Sequence, residues 1–273
     1  MSAEPGSGDG TDTPIFDALR EDLRADQPAA LATVVEGPGA GAKLLIRPGQ
    51  ASLGTLGDAD LDRVVARDAQ AELDAGLTAT RRYGPHGEAR EETVRVFIES
   101  FAPPPRLIIF GAVDFTGALA KAGKLLGYRV TVCDARAVFA TVARFPMADE
   151  IANEWPDRYL AKVGEDLGPR DAVCVLTHDA KFDVPAIVAA LQTDVGYLGA
   201  MGSRRTHAAR VERLREAGVD DAGLARVMAP IGLDIGSRTP EEAAIAICAE
   251  IIAVRTGRTG VASLRDGTGP IHA

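Results

Sequence analysis

Residues 107–136 decide the fold, and they read LIIFGAVDFTGALAKAGKLLGYRVTVCDAR. The apolar run Leu107–Phe110 is typical of a buried strand, and Gly111 directly after it permits a tight turn. An Ala/Leu-rich segment then follows with helical spacing, and Gly127 stands where a glycine commonly ends a helix. A second, β-branched run ends at Asp134. The stretch therefore predicts a βαβ unit, the opening of a doubly wound, Rossmann-like sheet.

The turn in this unit lacks the full glycine pattern of a dinucleotide site. The fingerprint G-x-G-x-x-G needs its glycines so that a pyrophosphate can approach the backbone. Gly111 supplies the first glycine, but Val113 and Thr116 stand at the second and third positions, with Gly117 one place late. Asp134 still lies about twenty residues beyond the turn, where such folds hold a ribose hydroxyl. The pattern thus predicts the fold more strongly than it predicts bound NAD(P).

The rest of the chain predicts two domains. Strands alternate with helices over residues 106–257, which indicates an α/β domain whose mostly parallel sheet carries helices on both faces. Residues 14–102 predict a small N-terminal α+β domain, and the stiff segment Pro103–Pro105 suits a boundary. We expect a disordered tail over residues 1–13 and a second tail over residues 258–273.

Composition narrows the class of protein. With 46% hydrophobic and 25% charged residues, the chain is typical of a soluble globular protein, and its net charge of −9 argues against binding to nucleic acid or to an anionic membrane. No apolar run approaches the roughly eighteen residues of a membrane span, and the N-terminus lacks a signal-peptide core, so we expect a cytoplasmic protein. The three cysteines lie in apolar runs without ligand spacing, which predicts buried structural thiols: Cys133, Cys174 and Cys248. The histidines outside the candidate segments form no ligand pattern either, so no metal site is expected: His86, His207 and His272.

Four polar segments follow predicted strands, where open α/β sheets bind their ligands. They are residues 111–117, 134–136, 177–183 and 199–205. The candidate cofactor-binding residues from the first two segments are Gly111, Asp134 and Arg136. From the third they are His178 and Asp179, although a lone His is commonly a hydrogen-bonded structural residue and Asp179 could instead cap the next helix.

The fourth segment offers an anion site. It places a glycine, a hydroxyl and two guanidinium groups at a predicted helix start: Gly202, Ser203, Arg204 and Arg205. Free backbone N–H groups and the helix dipole favour an anion there, and arginines bind phosphate or carboxylate in bidentate fashion. The alternative interpretation is a serine N-cap followed by two solvated arginines.

Residues 229–242 carry the densest local pattern. Thr239, Pro240 and Glu242 predict a capping box at the start of the last helix. Capping does not account for the remaining polar and glycine positions, which are further pocket candidates: Gly232, Asp234 and Arg238. Because no Ser-His-Asp set, paired carboxylates or Walker loop is recognisable, the catalytic residues stay unknown and the residues indicate an anion or nucleotide pocket without a nucleophile.

Three of these segments resemble the XdhC/CoxI family, the accessory proteins of molybdenum hydroxylases such as xanthine dehydrogenase and carbon monoxide dehydrogenase. They are residues 177–179, 197–205 and 229–242. The resemblance covers roughly residues 106–257 and, more weakly, residues 30–76. It implies a cytoplasmic chaperone without catalytic activity, commonly a homodimer, that binds molybdenum cofactor (molybdopterin) and helps to deliver its sulfurated form to a partner apoenzyme. The cofactor phosphate would then lie at Gly202–Arg205, with Asp234 and Arg238 shaping the pocket.

The chain departs from the family pattern at two places. The family turn Gly-Ala-Gly-His-Val-Gly is replaced by Gly-Ala-Val-Asp-Phe-Thr at residues 111–116, and the family loop Gly-Ser-Val-Ser-Gly-Gly-Cys has no cysteine counterpart in residues 54–60. A thiol role in metal or sulfur handling is therefore not expected. Two alternatives stay open, an NAD(P)-dependent oxidoreductase and a ligand-free scaffold that docks a partner.

Overall fold

A computed structural model describes residues 12–88, 92–258 and 260–262. Most of the two predicted tails, residues 1–11, 259 and 263–273, lies outside the described residues. The chain divides into two compact units, Met1–Pro103 and Pro104–Ala273, called here the N-terminal and C-terminal units. The expected architecture is confirmed: a parallel α/β sheet in one unit and a smaller α+β fold in the other.

The described part of the N-terminal unit is an antiparallel sheet with two helices. Its five strands run in the order β3-β2-β1-β5-β4. Leu61, Val65, Ala69 and Leu73 recur at helical spacing on α2 and are buried with the sheet residues. The elements are α1 (Asp12–Arg24), β1 (Ala29–Glu36), β2 (Lys43–Ile46), β3 (Leu53–Thr55), α2 (Ala59–Ala75), β4 (Ala79–Tyr83) and β5 (Val94–Phe101).

The C-terminal unit is a doubly wound α/β fold. Its elements are β6 (Arg106–Phe110), α3 (Asp114–Leu125), β7 (Arg129–Cys133), β8 (Glu150–Ala152), α4 (Pro156–Val163), β9 (Ala172–Val175), α5 (Ala180–Leu191), β10 (Tyr197–Ala200), α6 (Arg204–Glu216), α7 (Asp221–Ala225), β11 (Val227–Met228) and α8 (Pro240–Arg255). In the part that the structure describes, the order is β11-β10-β9-β6-β7-β8 and each pairing is parallel. The strand order therefore reverses between β6 and β9, which is where such sheets bind ligands.

Helices cover both faces of this sheet, as its continuous apolar strands require. Leu107 and Ile109 of β6 pack with Leu119 of α3 and with α8. The alternate residues of β6, Ile108 and Phe110, pack on the other face with α4, α5 and α6. Because both faces are buried, β6 lies in the centre of the core.

Two element boundaries differ from those that the sequence predicts. The apolar residues from Val184 onward predict a helix that begins near Val184, but α5 begins at Ala180, because the carboxylate of Asp179 caps it by accepting the N–H of Lys181 at 3.1 Å. The apolar run from Val195 predicts the start of a strand there, but β10 begins at Tyr197. Periodicity also fails to indicate α4, α7 and β11, since each is too short to show a full apolar repeat. Among the described residues, no helix is long and apolar enough to cross a membrane.

Candidate functional site

At the point where the strand order reverses, the ends of β6 and β9 approach each other closely. Gly111 follows β6 with a φ of +107°, and a Cβ built there would lie 3.0 Å from the backbone N of Thr177, which follows β9. Both the positive φ and the contact require glycine at this position. The first candidate residue therefore has a structural reason to be glycine, whatever it binds.

The backbone N–H groups of the Gly111 turn already have acceptors within the protein. The Gly111 N–H donates to the Cys133 carbonyl at 2.9 Å, and the Ala112 N–H donates to the Asp134 carboxylate at 2.9 Å. The Val113 N–H donates to the Thr116 hydroxyl oxygen at 3.2 Å, and that hydroxyl donates in turn to the Gly111 carbonyl. A pyrophosphate would have to displace these acceptors before it could use the same donors.

Asp134 is occupied as well. Its carboxylate, whose side chain is 4% exposed, accepts from the backbone N–H of Arg136 at 2.9 Å and from the guanidinium at 2.9 and 2.8 Å. Burial alone would raise the pKa of Asp134, but the guanidinium of Arg136 and the backbone donors outweigh burial and hold that pKa below its usual value. A ribose hydroxyl would have to compete with a charged, multiply bonded partner.

Arg136 is itself held between aromatic rings. Its guanidinium carbon lies 4.7 Å from the ring centre of Phe139 and 5.7 Å from that of Phe182 in α5. The Phe182 ring lies 4.7 Å from the ring of Trp155. Cation–π contacts of this kind fix a guanidinium plane. Arg136, which follows β7, thus contacts α5, the helix that follows β9.

The segment after β9 agrees in part with the interpretation that Asp179 caps the next helix. Asp179 caps α5 and forms an ion pair with Lys181 at 3.3 Å. Both His178 and Asp179 are exposed at the carboxyl edge of the sheet. Both side chains are accessible to a ligand, although the cap of α5 already gives the Asp179 carboxylate a structural role.

The start of α6 combines capping with exposed positive charge. Ser203 caps the helix by accepting the Thr206 N–H at 3.1 Å, and Gly202 precedes it with a φ of +149°. The first turn contains no acidic residue, and Arg204 and Arg205 are exposed without an ion pair to any described residue. Both interpretations of the sequence are compatible with this geometry, because a serine cap uses one N–H and leaves the dipole and the two guanidinium groups for an anion.

Sequence reasoning missed a buried ion pair beneath this helix start. Nη2 of Arg210 in α6 donates to Asp183 of α5 at 2.9 Å and to the Met201 carbonyl at 2.7 Å. Burial raises the pKa of Asp183, while the Arg210 guanidinium and then the Thr177 hydroxyl oppose the rise. The position of Arg210 in the sequence indicates its burial, because it stands four residues before buried Leu214, on the apolar face of α6.

The loop before α8 has a structural explanation for one of its glycines. Gly232 has a φ of +93°, and a Cβ there would lie 3.2 Å from the backbone N of Ile247 in α8. Its N–H donates to Glu250 at 2.9 Å, and the same carboxylate oxygen accepts the Tyr197 hydroxyl at 2.6 Å. Gly232 is therefore placed to pack the loop on α8.

Asp234 and Arg238 are exposed in the same loop. The Arg238 backbone N–H donates to Glu242 at 2.7 Å, and the predicted capping box of Thr239 and Glu242 is present. The structure brings the segments after β6, β7, β9 and β10 to one sheet edge. Within the described part of the chain, no hydrogen bond or ion pair joins Asp234 or Arg238 to the start of α6.

Two further features complete the description of the unit. A cavity of about 420 Å³ is lined by the C-terminal ends of α5 and α6 and by α7, on the side of the sheet opposite the strand carboxyl ends. The three cysteines are free and buried, as the sequence predicts. Among the described residues, no group of three His, Cys, Asp or Glu side chains is arranged to hold a metal ion.

Comparisons with known proteins agree with this fold. The chain is 28% identical over 245 residues to YqeB of Escherichia coli (strain K12), described as uncharacterized, covering 85% of this chain and 44% of YqeB. It is 33% identical over 165 residues to a probable xanthine dehydrogenase subunit of Bacillus subtilis (strain 168), covering 60% and 47%. It is 32% identical over 99 residues to the molybdenum cofactor insertion chaperone PaoD of Escherichia coli (strain K12), covering 36% and 31%.

The chain thus spans less than half the length of each of these curated relatives. A crystal structure described as a xanthine dehydrogenase from Bacillus halodurans aligns with a TM-score of 0.50 at 22% identity, over 90% of this chain and 97% of that one, which supports the fold alone. The XdhC Rossmann domain matches residues 107–251, and the XdhC and CoxI family matches residues 22–84. Since the first match alone spans more than half of the sequence, this chain belongs to the XdhC and CoxI family.

Proposed function

We propose that this chain binds molybdenum cofactor at the start of α6 and assists the maturation of a molybdenum hydroxylase such as xanthine dehydrogenase. In this proposal it acts as a cofactor-binding chaperone without catalysis of its own, in the cytoplasm and as a homodimer. The names of two relatives, a molybdenum cofactor insertion chaperone and a probable xanthine dehydrogenase subunit, support this class of function.

The observation that carries the proposal is the electropositive start of α6. Helix N–H groups, the exposed guanidinium groups of Arg204 and Arg205 and the absence of an acid in the first turn all favour a phosphate. Molybdopterin carries a terminal phosphate, so this donor set fits one end of the cofactor. The neighbouring exposed residues, His178 and Asp179 after β9, are proposed to contact the remainder.

The burial of the three cysteines limits the proposal to binding and delivery. The three cysteines are buried, and burial raises the pKa of Cys133 to about 12 and that of Cys248 to about 11. A buried, protonated thiol is a poor sulfur carrier or metal ligand. Any sulfuration of the cofactor is therefore proposed to come from another protein.

Two double variants of the same helix test the anion site. Changing Arg204→Ala with Arg205→Ala should weaken the binding of molybdopterin at least about tenfold, because charge-assisted hydrogen bonds contribute about 1.5–3 kcal/mol each. The matched control, Arg213→Ala with Arg215→Ala, removes the same charge from the far end of α6 and should keep affinity within about twofold. Equilibrium binding under anaerobic conditions measures both, and unchanged affinity in the first variant would reject the site.

Two further measurements separate the alternatives. Titration with NADH, followed by its fluorescence, should give no saturable binding, because the N–H groups of the Gly111 turn and the Asp134 carboxylate are already engaged. Saturation would favour an NAD(P)-dependent oxidoreductase. Co-purification with a molybdenum hydroxylase but without pterin would favour a docking scaffold, and light scattering would test the dimer.

A further inference from the structure

Arg210 is a buried cation directly beneath the candidate anion site. It lies in the middle of α6, yet its side chain points back along the helix, as side chains on α-helices do, and its Nη2 donates to the Met201 carbonyl at 2.7 Å. Met201 immediately precedes Gly202, and the side chain of Arg210 is only 3% exposed. The guanidinium therefore holds the loop that begins at Met201 through a hydrogen bond to its backbone.

The same Nη2 atom reaches the neighbouring helix. It donates at 2.9 Å to Asp183, which is 5% exposed and lies in the first turn of α5. Asp183 belongs to the polar segment of residues 177–183 that follows β9, and its Oδ1 is buried without a hydrogen-bond partner among the described residues. One ion pair thus joins the loops that follow β9 and β10, the two loops that hold the exposed polar candidates.

The pair is poorly explained as a source of stability alone. A buried ion pair loses hydration on both sides, and apolar residues of similar volume often serve as well or better. Nη1 of Arg210 is buried and has no hydrogen-bond partner among the described residues, so the guanidinium is not even fully satisfied. A Cβ at Gly202 would lie 3.2 Å from Thr206 and 3.6 Å from Nη2, which shows how closely the loop rests on this cation.

We infer that Arg210 and Asp183 are positioning residues for the anion site. By holding the Met201 carbonyl, they orient the backbone of residues 202–205 toward the ligand and couple that loop to the segment after β9. The inference rests on the proposed function and adds to it the pair that preorganises its binding site.

Replacing both ions together separates positioning from stability. The double variant Asp183→Leu with Arg210→Met keeps the interior apolar and should retain a thermal midpoint close to that of the wild type. We expect its affinity for molybdopterin to fall at least about fivefold, and amide hydrogen exchange in residues 201–206 to accelerate, because the Met201 carbonyl loses its donor. Wild-type affinity together with wild-type exchange protection would overturn the inference.

A single variant covers the case in which the double variant does not fold. Arg210→Lys keeps a cation beside Asp183, but its ammonium lies one bond nearer the backbone than Nη2 and cannot hold both Asp183 and the Met201 carbonyl in the same geometry. Affinity should therefore fall at least about threefold, and exchange in residues 201–206 should rise. The matched control is Arg226→Lys, because Arg226 also binds backbone carbonyls, those of Leu191, Thr193 and Val195, at the opposite ends of the helices. Equal effects on affinity from both lysine variants would contradict a positioning role.

The two proposals can fail separately. If the Arg204 and Arg205 double variant loses affinity and both changes at Arg210 leave it intact, the anion site stands and the positioning role is wrong. If neither set of changes affects molybdopterin binding, or if the wild-type chain does not bind it, the proposed site is wrong and the inference falls with it.

Discussion

The carboxylate of Asp134 accepts a hydrogen bond from the backbone N–H of Ala112 at 2.9 Å and thereby joins the ends of two neighbouring strands, β7 and β6. In a dinucleotide site, an acid at this position faces the ligand. Here the carboxylate accepts hydrogen bonds from within the protein, because Arg136 donates to its other lone pairs. The Val113 N–H of the turn likewise donates to a protein oxygen, the Thr116 hydroxyl. One carboxylate thus connects the ends of two strands of the Rossmann sheet through hydrogen bonds within the protein.

Removing this carboxylate should destabilise the C-terminal unit. We expect Asp134→Ala to lower the free energy of unfolding by about 2 kcal/mol, since it leaves the buried Ala112 N–H without an acceptor. Arg136→Ala should cost less, because the side chain of Arg136 is 44% exposed, so water can replace its guanidinium, and the carboxylate keeps its two backbone donors, the N–H groups of Ala112 and of residue 136. Urea denaturation measures both, and an equal or larger loss in the arginine variant would show that the ion pair outweighs the backbone contact.

Gly232 should tolerate a methyl group less well than Gly236 does. Both have positive φ angles, +93° and +77°, so each change to Ala should cost about 1–2 kcal/mol in backbone strain. At Gly232 the new Cβ also meets the Ile247 backbone N at 3.2 Å, whereas at Gly236 nothing lies within 4 Å. Thermal unfolding should therefore show a lower midpoint for Gly232→Ala, and equal midpoints would mean that the loop can move away from α8.

The His86–Asp58 contact should make the N-terminal unit more stable at mildly acidic pH than at alkaline pH. Asp58 caps α2, and its other oxygen lies 2.8 Å from Nδ1 of His86. The hydrogen bond and the charge of Asp58 raise the pKa of His86, and the Leu61 N–H, followed by His86, lowers that of Asp58.

The sign follows from linkage. The raised pKa of His86 contributes stability below its unfolded value of about 6.5, and that contribution is lost as pH rises through the folded pKa. The lowered pKa of Asp58 contributes above about 3.9 and is lost as pH falls. The difference in unfolding free energy between the wild type and His86→Ala should therefore be larger near pH 5.5 than near pH 8.5, and a difference independent of pH would count against the pair.

The three cysteines should react slowly in the native protein. Burial raises the pKa of Cys133 to about 12 and that of Cys248 to about 11, and it raises that of Cys174 well above its ordinary value. Because the thiolate is the reactive form, Ellman's reagent at pH 8 should label all three thiols promptly only in denaturant. Prompt labelling of even one thiol in the native chain would reveal an exposed or activated cysteine.

Local pattern determined the architecture of this protein in advance. The apolar run Leu107–Phe110, the turn at Gly111 and the second apolar run to Cys133 indicate a parallel sheet covered on both faces, and the spacing of Thr239 and Glu242 indicates the capping box. These patterns involve residues that lie close together in the chain, so they can be recognised without the tertiary structure.

Tertiary structure decided the roles of the polar residues whose partners lie far away in the chain. Asp134 has the right type and spacing for a ribose, yet its partners, Ala112 and Arg136, become visible only when β6 and β7 lie side by side. Arg210 and Asp183 stand 27 residues apart in separate helices, and only the packing of α5 against α6 makes them a buried pair. Hydrogen bonds and ion pairs depend on distances of a few ångströms across the fold, which periodicity and spacing in one sequence do not encode.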